Sequence, residues 1–253
     1  MDEAHFRKIQ AVYLGMTGFV DDLLGQLLDT LEETHLSDRT TVFVFADHGD
    51  YAGDYGLVEK WPSGLEDVLT RVPFIVRTPE GSLGHVVREP VELFDMMATV
   101  RELTDVPAQY THFARSLLPQ LYGEGGDPTR AAFAEGGYSP HEPHCFGGLP
   151  ERGSPFSKDP RRIYYPKARL QQDHPESVCR AVMIRTMTHK LIYRPEGLSE
   201  LYDLRSDPQE LNNRYGQPDV AEVQREMERR LLDWYVETSD VTPFEEDPRG
   251  LPS

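Results

Sequence analysis

The residues best suited to chemistry lie between Asp47 and Lys60. Asp47 and His48 directly follow Thr41–Ala46, a short β-branched and aromatic run that predicts a strand buried on both faces. Ligands in open α/β sheets bind beyond the carboxyl ends of the strands, and a carboxylate with an imidazole could hold a divalent cation there. Lys60 comes thirteen residues after Asp47 with three glycines between them, so the loop could return a positive charge to the same place.

Each of these residues also has a simpler interpretation. The triplet Asp47-His48-Gly49 alone fits a turn at a strand end, in which Asp47 bonds to the backbone and His48 is partly exposed. Lys60 could be a solvated lysine. His141 and His144 lie between prolines, which favours either an ordered loop or a loop that lines a substrate site.

Further stretches extend the pattern along the chain. They are Asp47-His48-Gly49-Asp50, Gly53-Asp54-Tyr55-Gly56-Leu57, Lys60, Arg71-Val72-Pro73-Phe74-Ile75, Ala114-Arg115-Ser116-Leu117-Leu118 and Glu200-Leu201-Tyr202-Asp203-Leu204. Together they resemble the motifs of sulfatases and of their phosphonate- and phosphodiester-cleaving relatives in the alkaline-phosphatase superfamily. One position departs from that pattern, because Tyr55 stands where many members have histidine.

The resemblance implies a metal site and a lysine that binds the ester group of the substrate. Asp47 and His48 would be two ligands of a divalent cation, Ca²⁺ foremost, with Mg²⁺ or Mn²⁺ as alternatives. Lys60 would bind the ester oxygens and stabilise the leaving group. The family's nucleophile is a formylglycine made from the cysteine of Cys-x-Pro-x-Arg, or less often from serine. Neither Cys145 nor Cys179 stands in such a motif.

We therefore expect the formylglycine and a first pair of metal aspartates to lie in an N-terminal half that this chain lacks. The opening helical pattern, from Phe6 to Leu31, favours the same interpretation because it starts at once, without an evident cap. On this expectation the chain is a C-terminal fragment that is inactive alone.

The elements that must position the site follow from hydrophobic spacing. Val72–Arg77 predicts a second buried strand, and both strands fit a parallel sheet. The stretch 123–175 predicts an irregular connection with one short strand at Ala131–Ala134. The remaining predicted elements are a helix over Val91–Leu103, paired strands over Val178–Thr186 and Lys190–Tyr193, a strand at Leu201–Leu204 and a helix from about Asp219 to Val236.

These elements predict an α/β fold. The resemblance makes it a partial sandwich of the alkaline-phosphatase/sulfatase type, with a small C-terminal subdomain of antiparallel sheet plus helix. Residues 1–125 would belong to the catalytic α/β domain. Residues 126–241 would form connecting loops and the subdomain, and 242–253 a loose tail.

Composition limits the partners. With 26 basic and 43 acidic residues the chain carries a formal charge of −17, which argues against nucleic acid and anionic membranes. No run of about 18 apolar residues predicts a membrane span. The compartment stays open, since a missing upstream region would carry any signal.

Three functions remain. The foremost is hydrolysis of a sulfuric ester, with a small-molecule or carbohydrate sulfate ester as substrate. The second is hydrolysis of a phosphonate or phosphodiester, because the aspartate–histidine and lysine pattern serves both. The third is a non-catalytic half-protein that binds anions or a partner chain.

Overall fold

The computed structural model describes residues 2–139, 160–161 and 165–241. These residues form two compact units. The first contains the described residues up to Lys60 together with Val68–Pro128, and the second contains Trp61–Asp67 together with the described residues from Thr129 to Ser239. No described helix is long and apolar enough to cross a membrane.

The first unit opens with a long helix, α1 (Glu3–Glu33), none of whose residues is buried. The sequence predicts this helix correctly but not its beginning. Asp2 caps it, because the Asp2 carboxylate accepts the backbone N–H of His5 at 3.1 Å, so the expectation of an uncapped start is wrong. Apolar side chains of α1 that are more than half exposed are Val12, Leu14, Met16, Phe19, Val20 and Leu27.

Two short strands follow in the first unit, β1 (Val42–Phe45) and β2 (Phe74–Arg77). They pair antiparallel along their whole length, so the prediction that they run parallel is wrong. Complete burial is also wrong, since the side chains of Phe45 and Ile75 are 46% and 62% exposed. An apolar run indicates that a strand forms but does not specify the direction of its neighbour, and the long connection between these strands permits either direction.

Short helices complete the first unit. Their bounds are α2 (Asp67–Thr70, whose first residue belongs to the second unit), α3 (Asp95–Leu103) and α4 (Leu118–Leu121). The sequence predicts that the middle helix starts at Val91, but it begins only at Asp95, whose buried carboxylate accepts the backbone N–H groups of Glu92 and Arg115.

The second unit is built on one antiparallel sheet, as the sequence predicts for the C-terminal subdomain. The strands are β3 (Ala132–Gly136), β4 (Ala181–Arg185), β5 (His189–Tyr193) and β6 (Glu200–Asp203). They are arranged in the order β3-β4-β5-β6, and every neighbouring pair is antiparallel.

Two helices belong to this unit. The first, α5 (Tyr165–Asp173), lies within the stretch predicted to be irregular. Pro166 and the surrounding prolines obscured its pattern, although proline is well tolerated in the first turn of a helix. The second, α6 (Ala221–Thr238), agrees closely with the prediction.

The side chains of the sheet alternate between two apolar clusters, as strand geometry requires. Phe133 stacks on Trp234 of α6, with ring centroids 4.7 Å apart. One cluster contains Ala131, Val182, Ile184, Leu191, Leu201, Met227 and Leu231, and the other contains Leu65, Ala181, Met183 and Ile192.

Within this unit lies a network of four charged side chains. Lys190 is fully buried and its ammonium donates to Asp67 at 2.9 Å and to Glu210 at 2.8 Å, while Arg185 donates to Asp67 through Nε and Nη2. Burial opposes ionisation of Asp67, but the hydrogen bonds from Arg185 and Lys190 outweigh it and lower the pKa of Asp67 to about 2. Burial raises the pKa of Glu210. The network joins the Trp61–Asp67 segment to β4 and β5.

Candidate active site

Asp47 and His48 lie just beyond the carboxyl end of β1. The backbone carbonyl of Gly49 lies 2.8 Å from His48 Nδ1, and a carbonyl can only accept, so Nδ1 carries the ring proton and donates. His48 Nε2 then has a lone pair, which accepts a hydrogen bond from Lys60 Nζ at 2.8 Å. Asp47 Oδ2 lies 3.6 Å from the same nitrogen. The three side chains singled out by the sequence therefore lie together, in the first unit.

Gly49 holds this turn against α2. Its N–H donates to the carbonyl of Leu69 at 2.8 Å, and a Cβ at position 49 would lie only 1.9 Å from the carbonyl oxygen of Val68. No side chain fits in that space. The sequence suggested glycine for a sharp turn, whereas the structure requires it for the close approach of two backbones.

The loop Asp50–Lys60 leaves this turn and returns to it. Asp50 Oδ1 accepts the N–H of Ala52 at 2.7 Å and that of Glu59 at 3.1 Å, and the N–H of Tyr51 donates to the carbonyl of Glu59 at 3.0 Å. The two ends of the loop are thus bonded to each other. Lys60, which follows Glu59, is thereby placed beside His48.

Asp47 and His48 could supply two ligands of a divalent cation, but not a complete set. Ligands of a hard cation lie about 2.3 Å from it, so one ion can contact both Asp47 Oδ2 and His48 Nε2 across their 3.6 Å separation. In the structure the Lys60 ammonium uses the lone pair of that nitrogen, so an ion bound there would have to replace Lys60. Within the described parts of the chain, no group of three or more His, Cys, Asp or Glu side chains could hold a metal. Asp47 and His48 are therefore two donors of a shell that needs others.

Two predicted residues are not part of this description. His141 and His144 lie outside the described residues. Conversely, sequence reasoning gave no role to Asp50. The signal was present, because an aspartate whose side chain bonds to the backbone two residues later is a common turn pattern.

The fold and the cluster at the end of β1 define an α/β protein with a candidate hydrolytic site. Residues 3–106 match the family model "Sulfatase", and residues 157–237 match the model "N-sulphoglucosamine sulphohydrolase, C-terminal". The chain belongs to the sulfatase/alkaline-phosphatase superfamily. The resemblance and the fold class predicted from the sequence are thereby confirmed.

Similar proteins include both sulfatases and phosphonate hydrolases. The multifunctional alkaline phosphatase superfamily protein PehA of Trinickia caryophylli is 25% identical over 99% of this chain and 45% of its own length. An N-acetylglucosamine-6-O-sulfatase of Bacteroides thetaiotaomicron is 26% identical over 93% of this chain and 37% of its own. The crystallised phosphonate monoester hydrolase SpPMH of Silicibacter pomeroyi matches with a TM-score of 0.71 and 26% identity, over 91% of this chain and 41% of its own. The chain spans less than half the length of these relatives.

Proposed function

We propose that this chain carries part of the metal and sulfate site of a sulfuric-ester hydrolase. One observation above all supports the proposal: Lys60 Nζ lies 2.8 Å from His48 Nε2, beside the Asp47 carboxylate and just beyond the end of β1. Family membership supplies the reaction class. The arrangement supplies two cation donors and an ammonium that a cation at His48 Nε2 would displace toward a bound anion.

The roles follow from the geometry of each side chain. Asp47 and His48 would hold a divalent cation, Ca²⁺ foremost with Mg²⁺ or Mn²⁺ as alternatives, which when bound supplies positive charge to the ester oxygens. The His48 ring is oriented by its Nδ1–H bond to the Gly49 carbonyl, as ligating histidines usually are by their second nitrogen. Lys60 would donate to an ester oxygen and stabilise the negative charge that develops on the leaving group.

We further propose that these 253 residues do not hydrolyse sulfate esters by themselves. Neither Cys145 nor Cys179 stands in a Cys-x-Pro-x-Arg motif. The nearest serine match, Ser157-Lys158-Asp159-Pro160-Arg161, has aspartate where proline or alanine is needed, so no motif in these residues supplies the expected formylglycine. Turnover of an aryl sulfate by the purified chain should therefore not exceed that of a Lys60→Ala variant. Turnover clearly above that control would contradict this part of the proposal.

Anion binding tests the site without needing catalysis. Removing a charge-assisted hydrogen bond costs about 1.5–3 kcal/mol, so Lys60→Ala should weaken the binding of inorganic sulfate about tenfold or more. The matched control is Lys8→Ala, which removes the same charge from the exposed surface of α1. If calorimetric titration gives the two variants equal affinity for sulfate, Lys60 does not bind the anion.

Hydrolysis of a phosphonate or phosphodiester is the second candidate, favoured by the similarity to the phosphonate monoester hydrolase SpPMH. A panel of sulfate, phosphonate and phosphodiester substrates, applied to a longer form that includes an upstream nucleophile, separates the two reactions. The N-acetylglucosamine-6-O-sulfatase relative makes carbohydrate sulfates the first substrates to include in the panel. If the DNA just upstream contains no in-frame Cys-x-Pro-x-Arg segment, the non-catalytic half-protein gains support.

A further inference from the structure

The two aspartates of the motif Asp47-His48-Gly49-Asp50 have different surroundings. Asp47 is exposed and its Oδ2 faces His48 Nε2. Asp50 is half-buried, and one of its oxygens accepts two backbone N–H groups of the loop Asp50–Lys60. Among the residues that the structure describes, no three potential metal ligands come together, so Asp50 does not join Asp47 and His48 in a metal-binding group.

The loop that Asp50 closes is conformationally strained. Ala52, Tyr55 and Glu59 have φ angles of 47°, 54° and 63°, in the left-handed region that non-glycine residues seldom adopt. Strained residues persist only where surrounding contacts hold them in place. Contacts at the loop ends include the two hydrogen bonds to Asp50 Oδ1 and the bond from the Tyr51 N–H to the Glu59 carbonyl.

We propose that Asp50 is a positioning residue that holds the loop Asp50–Lys60 closed and so places Lys60 Nζ against His48 Nε2. The bond from the Glu59 N–H fixes the residue directly before Lys60, and the bond from the Ala52 N–H fixes the start of the loop. The role of Lys60 in binding an ester rests on the proposed function. The placement of Lys60 by Asp50 does not, because it follows from the hydrogen bonds within the loop.

The hydrogen-bond pattern determines which variants are informative. Both N–H groups donate to the same oxygen, so the amide oxygen of Asp50→Asn can still accept both, although the charge is gone. Asp50→Glu keeps the charge but displaces the oxygens by one methylene. Asp50→Ala removes the acceptor. Asp54→Ala is the matched control, because it removes a carboxylate from an exposed position of the same loop.

Hydrogen exchange of the 253-residue chain, detected by mass spectrometry on peptides covering 50–60, measures the closure of the loop. Exchange of these amides should rise about tenfold in Asp50→Ala and Asp50→Glu and stay within about threefold of the parent chain in Asp50→Asn and Asp54→Ala. The rate at which an amine-reactive acetylating reagent modifies Lys60 measures whether its ammonium is held against His48. Lys60 is exposed, as Lys8 is, but its ammonium is held by the hydrogen bond to His48 Nε2, so in the two open variants it should react faster and approach the rate of Lys8.

The inference is overturned if Asp50→Glu leaves both measurements unchanged, or if Asp50→Asn opens the loop as much as Asp50→Glu does. Unprotected amides at 50–60 in the parent chain would overturn it as well. Should the backbone amides of β1 and β2 lose protection in Asp50→Ala, the first unit has unfolded in that variant, and Asp50→Asn and Asp50→Glu decide the outcome. Sulfate titration of the same variants tests the proposed function separately: a loop that behaves as expected in a chain that binds no sulfate refutes the function and leaves the positioning role intact.

Discussion

His48 is oriented by its neighbours in the chain, and this directs one ring nitrogen toward Lys60. The Gly49 carbonyl takes the Nδ1 proton, and Nε2 accepts from Lys60 at 2.8 Å. The residue immediately after His48 must therefore place its carbonyl beside the ring while its backbone lies against α2. Glycine alone meets both conditions, since position 49 has no room for a Cβ.

Gly49→Ala should destabilise the first unit. A Cβ 1.9 Å from the Val68 oxygen forces the backbones apart and strains the Gly49–Leu69 hydrogen bond, with an expected loss of about 1–3 kcal/mol in the free energy of unfolding. Urea titration followed by circular dichroism measures it. The matched control is Gly25→Ala in α1, where nothing lies within 4 Å of the new Cβ, and which should instead stabilise the helix by up to about 1 kcal/mol. Equal effects of the two substitutions would contradict the close-approach argument.

At this scale the sequence predicts which side chains meet but not every reason why. The proximity of Lys60 to Asp47 and His48 follows from a loop with three glycines that leaves and returns to the end of one strand. The need for glycine at position 49 does not follow from the local sequence, because the Val68 carbonyl that excludes a Cβ comes from a distant part of the chain.

The secondary-structure elements divide into those whose pattern is local and those that depend on partners. The helices α1 and α6 and the hairpin of β4 and β5 are predicted because their spacing is regular over many residues. The direction of β2 relative to β1 is not predicted from the sequence, because it depends on the path of the chain between the two strands rather than on either strand. The buried charge of Lys190 is also missed, since a lysine in a strand is typical of an exposed position.

Asp67→Asn tests the four-charge network in the second unit. The pKa of Asp67 is lowered to about 2 from 3.8, so its ionised form contributes about 2 kcal/mol of stability above pH 4, which is lost as the pH falls toward 2. The variant should be less stable by about that amount at pH 7 and should converge with the parent chain near pH 2. Urea titrations at several pH values measure the difference.

The control for the network is Asp233→Asn, which removes a carboxylate paired with Arg229 on the exposed side of α6. Solvent screens that pair, so the expected loss is much smaller than that of Asp67→Asn and does not depend on pH in the same way. A difference between Asp67→Asn and the parent chain that is independent of pH would show that the effect comes from packing rather than from charge.

For the molecule as a whole, the most consequential surface is the apolar stripe of α1. Five large apolar side chains on one side of this helix are more than half exposed: Val12, Met16, Phe19, Val20 and Leu27. Contiguous apolar surface of this kind drives association in water. The motifs predicted the family from scattered positions, and an exposed face of this helix is expected of a half-protein; in the structure no residue of the helix is buried.

The purified chain should therefore self-associate at micromolar concentrations. Phe19→Glu with Leu27→Glu places two charges in the stripe and should lower the mean mass measured by analytical ultracentrifugation. Gln10→Glu with Thr17→Glu adds the same charge on a different side of the helix and should leave the mass unchanged. A monodisperse monomer of the parent chain would contradict this expectation.

The surroundings of the two tryptophans have an optical consequence. Trp61 and Trp234 are the only tryptophans of the chain, and both belong to the second unit. Trp234 stacks on Phe133 and the indole N–H of Trp61 donates to the Ser177 carbonyl, so unfolding of this unit exposes both rings to water. A red shift in tryptophan emission therefore reports exposure of rings that belong to the second unit. The unit that contains Asp47, His48 and Lys60 has no tryptophan of its own, so its unfolding has to be followed by another signal.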